Sequence, residues 1–111
     1  MDKVQLGRNE ALFREVNEAI AATSTRTAAT EAGFVCECGD ATCTHRVTAD
    51  LAEYERIREH PTRFLLQPGH EDRRVERVVH ETKRYAVVEK FEQTVESVVR
   101  RLDPRTRTAS A

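Results

Sequence analysis

The sequence predicts an α+β fold in which a small antiparallel sheet carries a zinc knuckle, with one short internal helix and a helix at each end of the chain. Apolar residues recur at helical spacing near both ends, and short segments rich in β-branched residues occupy the middle. All 3 cysteines fall within residues 36–43. A chain of 111 residues can bury a modest core, so a metal would add stability without being obligatory.

The first predicted helix spans residues 10–22. Asn9 has the residue type of an N-cap, and Glu10 then stands in the first turn, where a negative charge is favourable. An apolar stripe follows at helical spacing and comprises Leu12, Phe13, Val16 and Ile20. Such a helix packs its stripe on the core of its own domain, continues unpacked into solvent, or binds a partner, which could be another protein or a second copy of this chain.

Residues 23–33 are small and polar, a composition typical of a linker or a loosely ordered loop. We therefore predict three parts: an amphipathic helix with its linker at 1–33, a zinc-knuckle α+β domain with a C-terminal helix at 34–103, and a disordered tail at 104–111. On this division, we expect that a chain without residues 1–30 still folds.

Five segments are predicted as strands from their β-branched and aromatic content. They are residues 34–38, 46–49, 63–67, 75–80 and 84–90. The first two should form a small hairpin around the cysteines, and the last two a second antiparallel hairpin. Between these hairpins, Asp50 and Glu53 have the spacing of a capping box and start a short helix that ends before Pro61. A C-terminal helix is predicted over residues 91–102.

The charge balance argues against partners that recognise a strongly charged protein. Basic and acidic residues number 18 and 19, so no overall field draws the chain to nucleic acid or to an anionic membrane. A nucleic-acid-binding protein would have to use local arginines, namely Arg73, Arg74, Arg77 or the Arg100-Arg101 pair. The sequence also lacks an apolar run of membrane-spanning length and the apolar core of a signal peptide. Because 3 cysteines also argue against a disulfide framework, we expect a cytoplasmic protein.

The cysteines predict a metal site. Cys36 and Cys38 are two residues apart in a predicted strand, so both side chains lie on one side of it. Cys43 follows a Gly-Asp turn signal that can return its sulfur to the same point. Three thiolates suit Zn²⁺, which takes four ligands in a tetrahedron. By spacing alone, His45 and His70 are near-equal candidates for the fourth ligand, and the remaining histidines at positions 60 and 80 are weaker ones.

Other interpretations of the cysteine cluster stay open at this point. The thiols could pack as small apolar side chains, or act as redox or sensing thiols. An iron–sulfur cluster is disfavoured because it usually takes four cysteines. A catalytic zinc needs an open position and usually a nearby carboxylate, for which Glu37 and Asp40 are available. Three thiolates make zinc a poor Lewis acid, however, so a structural site is favoured.

Three motifs follow one another along the chain: Phe34-x-Cys36-Glu37-Cys38-x4-Cys43, then Glu53-Tyr54-Glu55, then Pro68-Gly69-His70-Glu71. Together with residues at both ends, they resemble a family of short, uncharacterised bacterial proteins, and the resemblance covers most of the chain. It implies no activity. It does imply that the Pro-Gly-His turn belongs to the signature while a histidine at position 45 does not, which favours His70 over His45 as the fourth ligand.

We therefore expect a zinc-stabilised interaction or regulatory module of the cytoplasm. An enzyme is the least supported class, because no nucleophile–base pair or carboxylate pair stands out. The zinc would be structural, and the stripe of the first helix would bind an unknown protein partner or a second copy. A thiol-based redox or metal sensor that uses Cys36, Cys38 and Cys43 is the alternative, and a nucleic-acid-binding accessory protein is the second alternative.

Overall fold

The chain folds into three helices and two small antiparallel sheets, and a computed structural model describes residues 1–105 of it. In chain order the elements are α1 (Lys3–Arg26), β1 (Glu31–Val35), β2 (Arg46–Asp50), α2 (Leu51–Arg58), β3 (Arg63–Leu66), β4 (Glu76–Glu81), β5 (Ala86–Lys90) and α3 (Gln93–Arg101). The predicted α+β class is confirmed, with helices at both ends, a short internal helix and a cysteine knuckle near the sheet.

Both predicted hairpins are present. β1 pairs with β2, with Phe34 opposite Val47, and β4 pairs with β5. The second sheet gains a third strand because β3 pairs with the other side of β5, which gives the order β3-β5-β4. The knuckle therefore lies between the β1–β2 hairpin and the edge of the second sheet, where the backbone N–H of Glu37 donates to the carbonyl of Leu65 at 2.9 Å.

One cluster of buried apolar side chains joins the two sheets and the helices. Phe34 stacks on Tyr54 with ring centroids 4.5 Å apart, which ties β1 to α2. From β3, Phe64, Leu65 and Leu66 are all fully buried. Burial of such side chains stabilises the fold by roughly 1.5–3 kcal/mol each, so the core rather than the knuckle supplies most of the apolar driving force.

The first helix is longer than predicted, since it spans Lys3–Arg26 rather than residues 10–22. Asp2 is its N-cap, with a side-chain oxygen that accepts from the backbone N–H of Gln5 at 2.7 Å. The predicted cap at Asn9 is wrong. That residue lies inside the helix and donates its side-chain amide to the carbonyl of Gly39 at 3.0 Å. Asp2 offers an equally good cap earlier in the chain, and the residues between them tolerate a helix.

The predicted linker at 23–33 is also shorter than expected. The helix continues to Arg26 and β1 begins at Glu31, so the predicted boundary at residue 33 falls inside a strand. Most side chains of this stretch are exposed, because they belong to the last turn of a surface helix and to the outer side of a hairpin. Polar composition here signals exposure rather than a lack of regular structure.

The described chain ends shortly after α3. Arg105, within the predicted disordered tail, forms ion pairs with Glu18 at 2.6 Å and with Glu55 at 2.8 Å. The rest of that predicted tail, residues 106–111, lies outside the described residues.

Candidate metal centre

Four side chains that the sequence singled out come together at one point. Cys36 and Cys38 follow β1, Cys43 lies in the connection to β2, and His70 lies in the connection from β3 to β4. Their ligand atoms all lie within 4.8 Å of one another, so the group could hold a metal ion. The Nδ1 atom of His70 lies 3.7 Å from the sulfurs of both Cys36 and Cys43. Tetrahedral zinc with ordinary bond lengths would separate a sulfur from a nitrogen by about 3.6 Å, which is close to the observed distances.

The turn that returns Cys43 to the site depends on Gly39. Its φ of +80° lies in the left-handed region, where a side chain is strained. A Cβ at this position would also lie 2.6 Å from Leu6 and 2.9 Å from Glu10, both on α1. The turn is completed by a hydrogen bond from the backbone N–H of Cys43 to the carbonyl of Asp40 at 3.0 Å. The knuckle therefore packs tightly against the first helix.

Each of the three sulfurs accepts a hydrogen bond from a backbone N–H. Gln67 donates to Cys36 at 3.2 Å, Asp40 donates to Cys38, and His45 donates to Cys43. A thiolate accepts such bonds better than a thiol does, since hydrogen bonds to the charged form of a group stabilise that form. The backbone is thus arranged for sulfurs that carry negative charge, as they do when they bind a metal.

The three thiols differ in acidity. The pKa of Cys38 is lowered to about 5, chiefly because its sulfur accepts a hydrogen bond from Cys36. The same bond, together with burial, raises the pKa of Cys36. Burial is also the main reason that the pKa of Cys43 is raised. Because a thiolate rather than a thiol binds a metal, metal binding at this cluster would release protons.

The other sequence candidates for ligands lie outside this group. His45 packs its ring edge-on against that of His70, with centroids 4.7 Å apart, and is exposed. Asp40 uses its carboxylate to accept from the backbone and the hydroxyl of Thr42, at 2.9 and 2.7 Å. Glu37 is fully buried and bonded elsewhere. Neither carboxylate belongs to the group of four, so neither has the position expected of a carboxylate that assists a catalytic zinc.

The face that α1 buries includes polar and charged side chains, which the sequence did not predict. Glu10, Arg14 and Asn17 are fully buried, whereas Leu12 and Val16 of the predicted stripe are 57% and 41% exposed. Phe13 and Ile20, also of that stripe, are half-buried. Ile20 packs against the core, so the predicted stripe lies only partly on the buried side, and hydrophobicity alone does not identify the buried face of this helix.

A weak signal for the buried face is present in the small residues that share it, Gly7, Ala11 and Ala21. A Cβ at Gly7 would lie 2.9 Å from Val98, so α1 and α3 approach closely at this point. Small residues at helical spacing permit such an approach, but their neighbours on this face are charged. The polar contacts of Glu10, Arg14 and Asn17 depend on partners distant in sequence, which spacing does not identify.

The arginines considered for nucleic-acid binding are mostly paired with acids. Arg73, Arg74 and Arg77 form ion pairs with Glu71, Asp72 and Glu89, respectively. Arg100 pairs with Glu96 one turn away on α3. These arginines therefore stand in a mixed surface rather than in a basic patch.

Comparison with protein-family models, with curated proteins and with solved structures found no match to this chain. The resemblance to a bacterial family therefore stays a prediction from the motifs. Within residues 1–105, none of the helices has both the length and the apolar character needed to cross a membrane.

Proposed function

We propose that this protein is a small interaction or regulatory module, without enzymatic activity, that is stabilised by a structural Zn²⁺ ion. The observation that carries the proposal is the convergence of three sulfurs and one imidazole nitrogen within 4.8 Å. This donor set suits zinc, whereas calcium and magnesium prefer oxygen ligands and iron–sulfur clusters usually take four cysteines. Four protein ligands would fill the tetrahedron and leave no open position for a substrate.

The ion would join three separate parts of the chain. Cys36 and Cys38 directly follow β1, Cys43 lies further along the connection to β2, and His70 lies in the connection from β3 to β4. The ligands at positions 36 and 70 are 34 residues apart, so their shared metal would close a long loop and restrict the unfolded chain. Metal-binding free energy at such a site is also folding free energy.

The test is the metal content of protein purified under reducing conditions, measured by elemental mass spectrometry alongside a thermal melt. We expect one zinc per chain, and we expect a chelator to lower the melting temperature as it removes the ion. A metal-free preparation that binds no added zinc, or one whose melting curve is unchanged by zinc, would contradict the proposal.

A thiol-based sensor is the second candidate function, and the position of the thiols favours it. Cys38 and Cys43 are partly exposed, and Cys38 lines an open cleft of about 390 Å³ together with His70, Asp40 and Arg74. A peroxide entering this cleft would take two electrons from two of the thiolates, which would join as a disulfide. Its O–O bond would break, and two protons from solvent would complete two water molecules. The metal would then lose two ligands. Zinc that leaves on peroxide treatment and returns on thiol reduction, with a matching change of shape, would support the sensor.

The partner surface that we propose is the outward face of α1, with a second copy of the chain as the partner. Leu12 and Val16 are the exposed apolar centre of this face, and the oppositely charged Arg8 and Glu15 lie on either side of Leu12. Antiparallel packing of two copies about Leu12 would place Arg8 of one copy near Glu15 of the other. Such an isologous contact is self-complementary in both charge and hydrophobicity. One helix face is a small area, so we expect a weak, concentration-dependent dimer.

Sedimentation of the full chain over a range of concentrations tests this surface. We expect Leu12→Glu to shift the protein to monomer, while Val79→Glu, which alters an exposed apolar side chain on β4, leaves the dimer intact. A wild-type protein that is monomeric at every concentration would exclude the second copy and leave a different protein as the partner.

A further inference from the structure

Glu37 lies between two of the metal-site cysteines and is fully buried. Both of its carboxylate oxygens are bonded: Oε1 accepts from the backbone N–H of Leu65 at 2.8 Å, and Oε2 accepts from the side-chain amide of Asn17 at 2.7 Å. A buried carboxylate is costly unless it is bonded in this way. The residue between Cys36 and Cys38 is therefore a buried carboxylate that depends on its hydrogen bonds to Leu65 and Asn17.

The backbone around Glu37 explains where its side chain points. The N–H of Cys36 donates to the carbonyl of His45 at 3.1 Å. The next N–H along the chain, that of Glu37, donates instead to the carbonyl of Leu65 on β3, at 2.9 Å. Alternating hydrogen bonds are typical of extended chain, in which successive side chains point to opposite sides. The sulfurs of Cys36 and Cys38 thus lie on one side, and the carboxylate of Glu37 lies on the other.

Asn17 fixes the residue that leads into this stretch. Its side chain donates to the carbonyl of Val35 at 2.9 Å and accepts from the N–H of Val35 at 2.8 Å. A side chain of α1 thereby takes the position that a neighbouring strand would hold along the edge of β1 away from β2. Because the same amide group also donates to Glu37, one residue of the helix holds residues 35 and 37 together.

We propose that Asn17 and Glu37 are the positioning residues of the metal centre. Their buried hydrogen bonds hold the extended stretch so that the sulfurs of Cys36 and Cys38 face the ion at a fixed spacing. The inference rests on the proposed function, since the spacing matters only if the four ligands bind a metal. It also makes α1 part of the support of the site. Residues that orient ligands in this way typically contribute about 10–100-fold to metal affinity.

The test compares Glu37→Gln and Asn17→Ala with the wild-type chain. Glu37→Gln keeps the shape of the side chain but replaces one acceptor oxygen with a donor, so Leu65 or Asn17 loses its partner. The affinity for Zn²⁺ is measured by competition with a chelator, and the geometry is followed by the visible spectrum of bound Co²⁺. We expect an affinity at least about tenfold weaker in both variants, together with an altered cobalt spectrum.

Val99→Ala is the matched control, because it removes buried apolar atoms from α3 rather than from the supports of the knuckle. It should lower the melting temperature while the zinc affinity and the cobalt spectrum stay as in the wild type. This contrast separates a positioning role from a general loss of stability.

The outcomes distinguish the two proposals. A wild-type chain that binds neither Zn²⁺ nor Co²⁺ overturns the proposed function itself. If the wild type binds but both folded variants keep its affinity and spectrum, only the positioning inference is overturned. It is also overturned if Val99→Ala weakens binding as much as they do, or if neither variant folds at saturating metal, because the pair would then determine the fold rather than the ligand geometry.

Discussion

His70 is the one ligand in the proposed site that comes from outside the knuckle. It is placed by the turn after β3, in which Gly69 has a φ of +89° and the N–H of His70 donates to the carbonyl of Gln67 at 3.1 Å. The same Gln67 donates its own N–H to the sulfur of Cys36. The turn and the knuckle are therefore joined by a hydrogen bond from a backbone N–H to a sulfur, which leaves His70 beside the sulfurs.

His70→Ala should lose most of the zinc affinity and should lower the melting temperature. His45→Ala should have little effect on either quantity. Removal of one ligand of four leaves a position that water must fill, and binding at such sites is worth roughly 10 kcal/mol or more of folding free energy. Zinc stoichiometry and thermal melting of the two variants side by side measure the difference. A protein that loses its zinc with His45→Ala and keeps it with His70→Ala would place the site wholly inside the knuckle.

The ammonium of Lys90 is buried and contacts the carboxylates of both Glu10 and Glu76. One positive charge faces two negative ones, and all three side chains are almost wholly inaccessible. Burial is the main reason that the pKa of Glu10 is raised to about 7, although its attraction to Lys90 lowers it. The folded protein therefore holds a proton on this carboxyl more strongly than the unfolded chain does.

This proton gives stability a pH dependence with a definite sign. Between about pH 4.5 and 7 the native state binds the extra proton, so the contribution of Glu10 is complete below this range and is lost as the pH rises through it. A shift of this size corresponds to about 3 kcal/mol in the free energy of unfolding. Glu10→Gln should remove this dependence and still leave Lys90 paired with Glu76.

Urea unfolding of the zinc-loaded wild type and Glu10→Gln, at several values between pH 5 and 8, measures this effect. The difference between the two proteins at each pH cancels the contribution of the metal site, which is common to both. We expect the difference to move in favour of the variant as the pH rises. A difference that stays constant across the range would contradict the assignment.

At the scale of elements, α1 shows where sequence reasoning succeeds and where it fails. The existence of the helix follows from apolar periodicity, but Leu12 and Val16 mark its exposed side. Polar contacts decide which face is buried: Arg14 donates to the carbonyls of Pro61 at 2.6 Å and Val99 at 2.7 Å. These contacts link residues up to 85 positions apart, so they are tertiary and leave no local pattern.

Removal of residues 1–30 should therefore leave an unfolded or molten chain, contrary to the expectation from the linker-like composition. The guanidinium of Arg14 covers the ring of Phe64 at 4.6 Å, and Gly7 packs against Val98, so the truncation would expose core side chains. It would also remove the amide of Asn17 that donates to the buried Glu37, and a buried acceptor left without its donor costs about 1–3 kcal/mol, or more where it is charged.

Circular dichroism melting and amide NMR dispersion of the truncated chain measure the result. Leu12→Glu in the full chain is the control, because it alters the exposed face of the same helix. A truncated protein that melts cooperatively and keeps its zinc would show that the helix is dispensable for the fold.

At the scale of the whole molecule, the strands and their order along the chain follow from the sequence, and the pairing of β3 with β5 does not. Turn residues and β-branched content predict each hairpin locally, since its strands are neighbours in sequence. The β3–β5 pair spans the intervening β4, so its register, with Phe64 opposite Val88, is set by burial in the shared core. The position of His70 beside the sulfurs also depends on tertiary contacts. Spacing alone ranked His70 and His45 nearly equal as candidates for the fourth ligand.

On the structure proposed here, the knuckle and the β3–β4 connection share one zinc ion. X-ray absorption at the zinc edge of the purified full chain measures the ligands of that ion. We predict a first shell of three sulfurs at about 2.3 Å and one nitrogen at about 2.0–2.1 Å, with the outer-shell signal of a single imidazole that is absent from His70→Ala. Zinc surrounded only by nitrogen and oxygen, or an imidazole signal that persists in His70→Ala, would rule out a site formed by the three cysteines and His70.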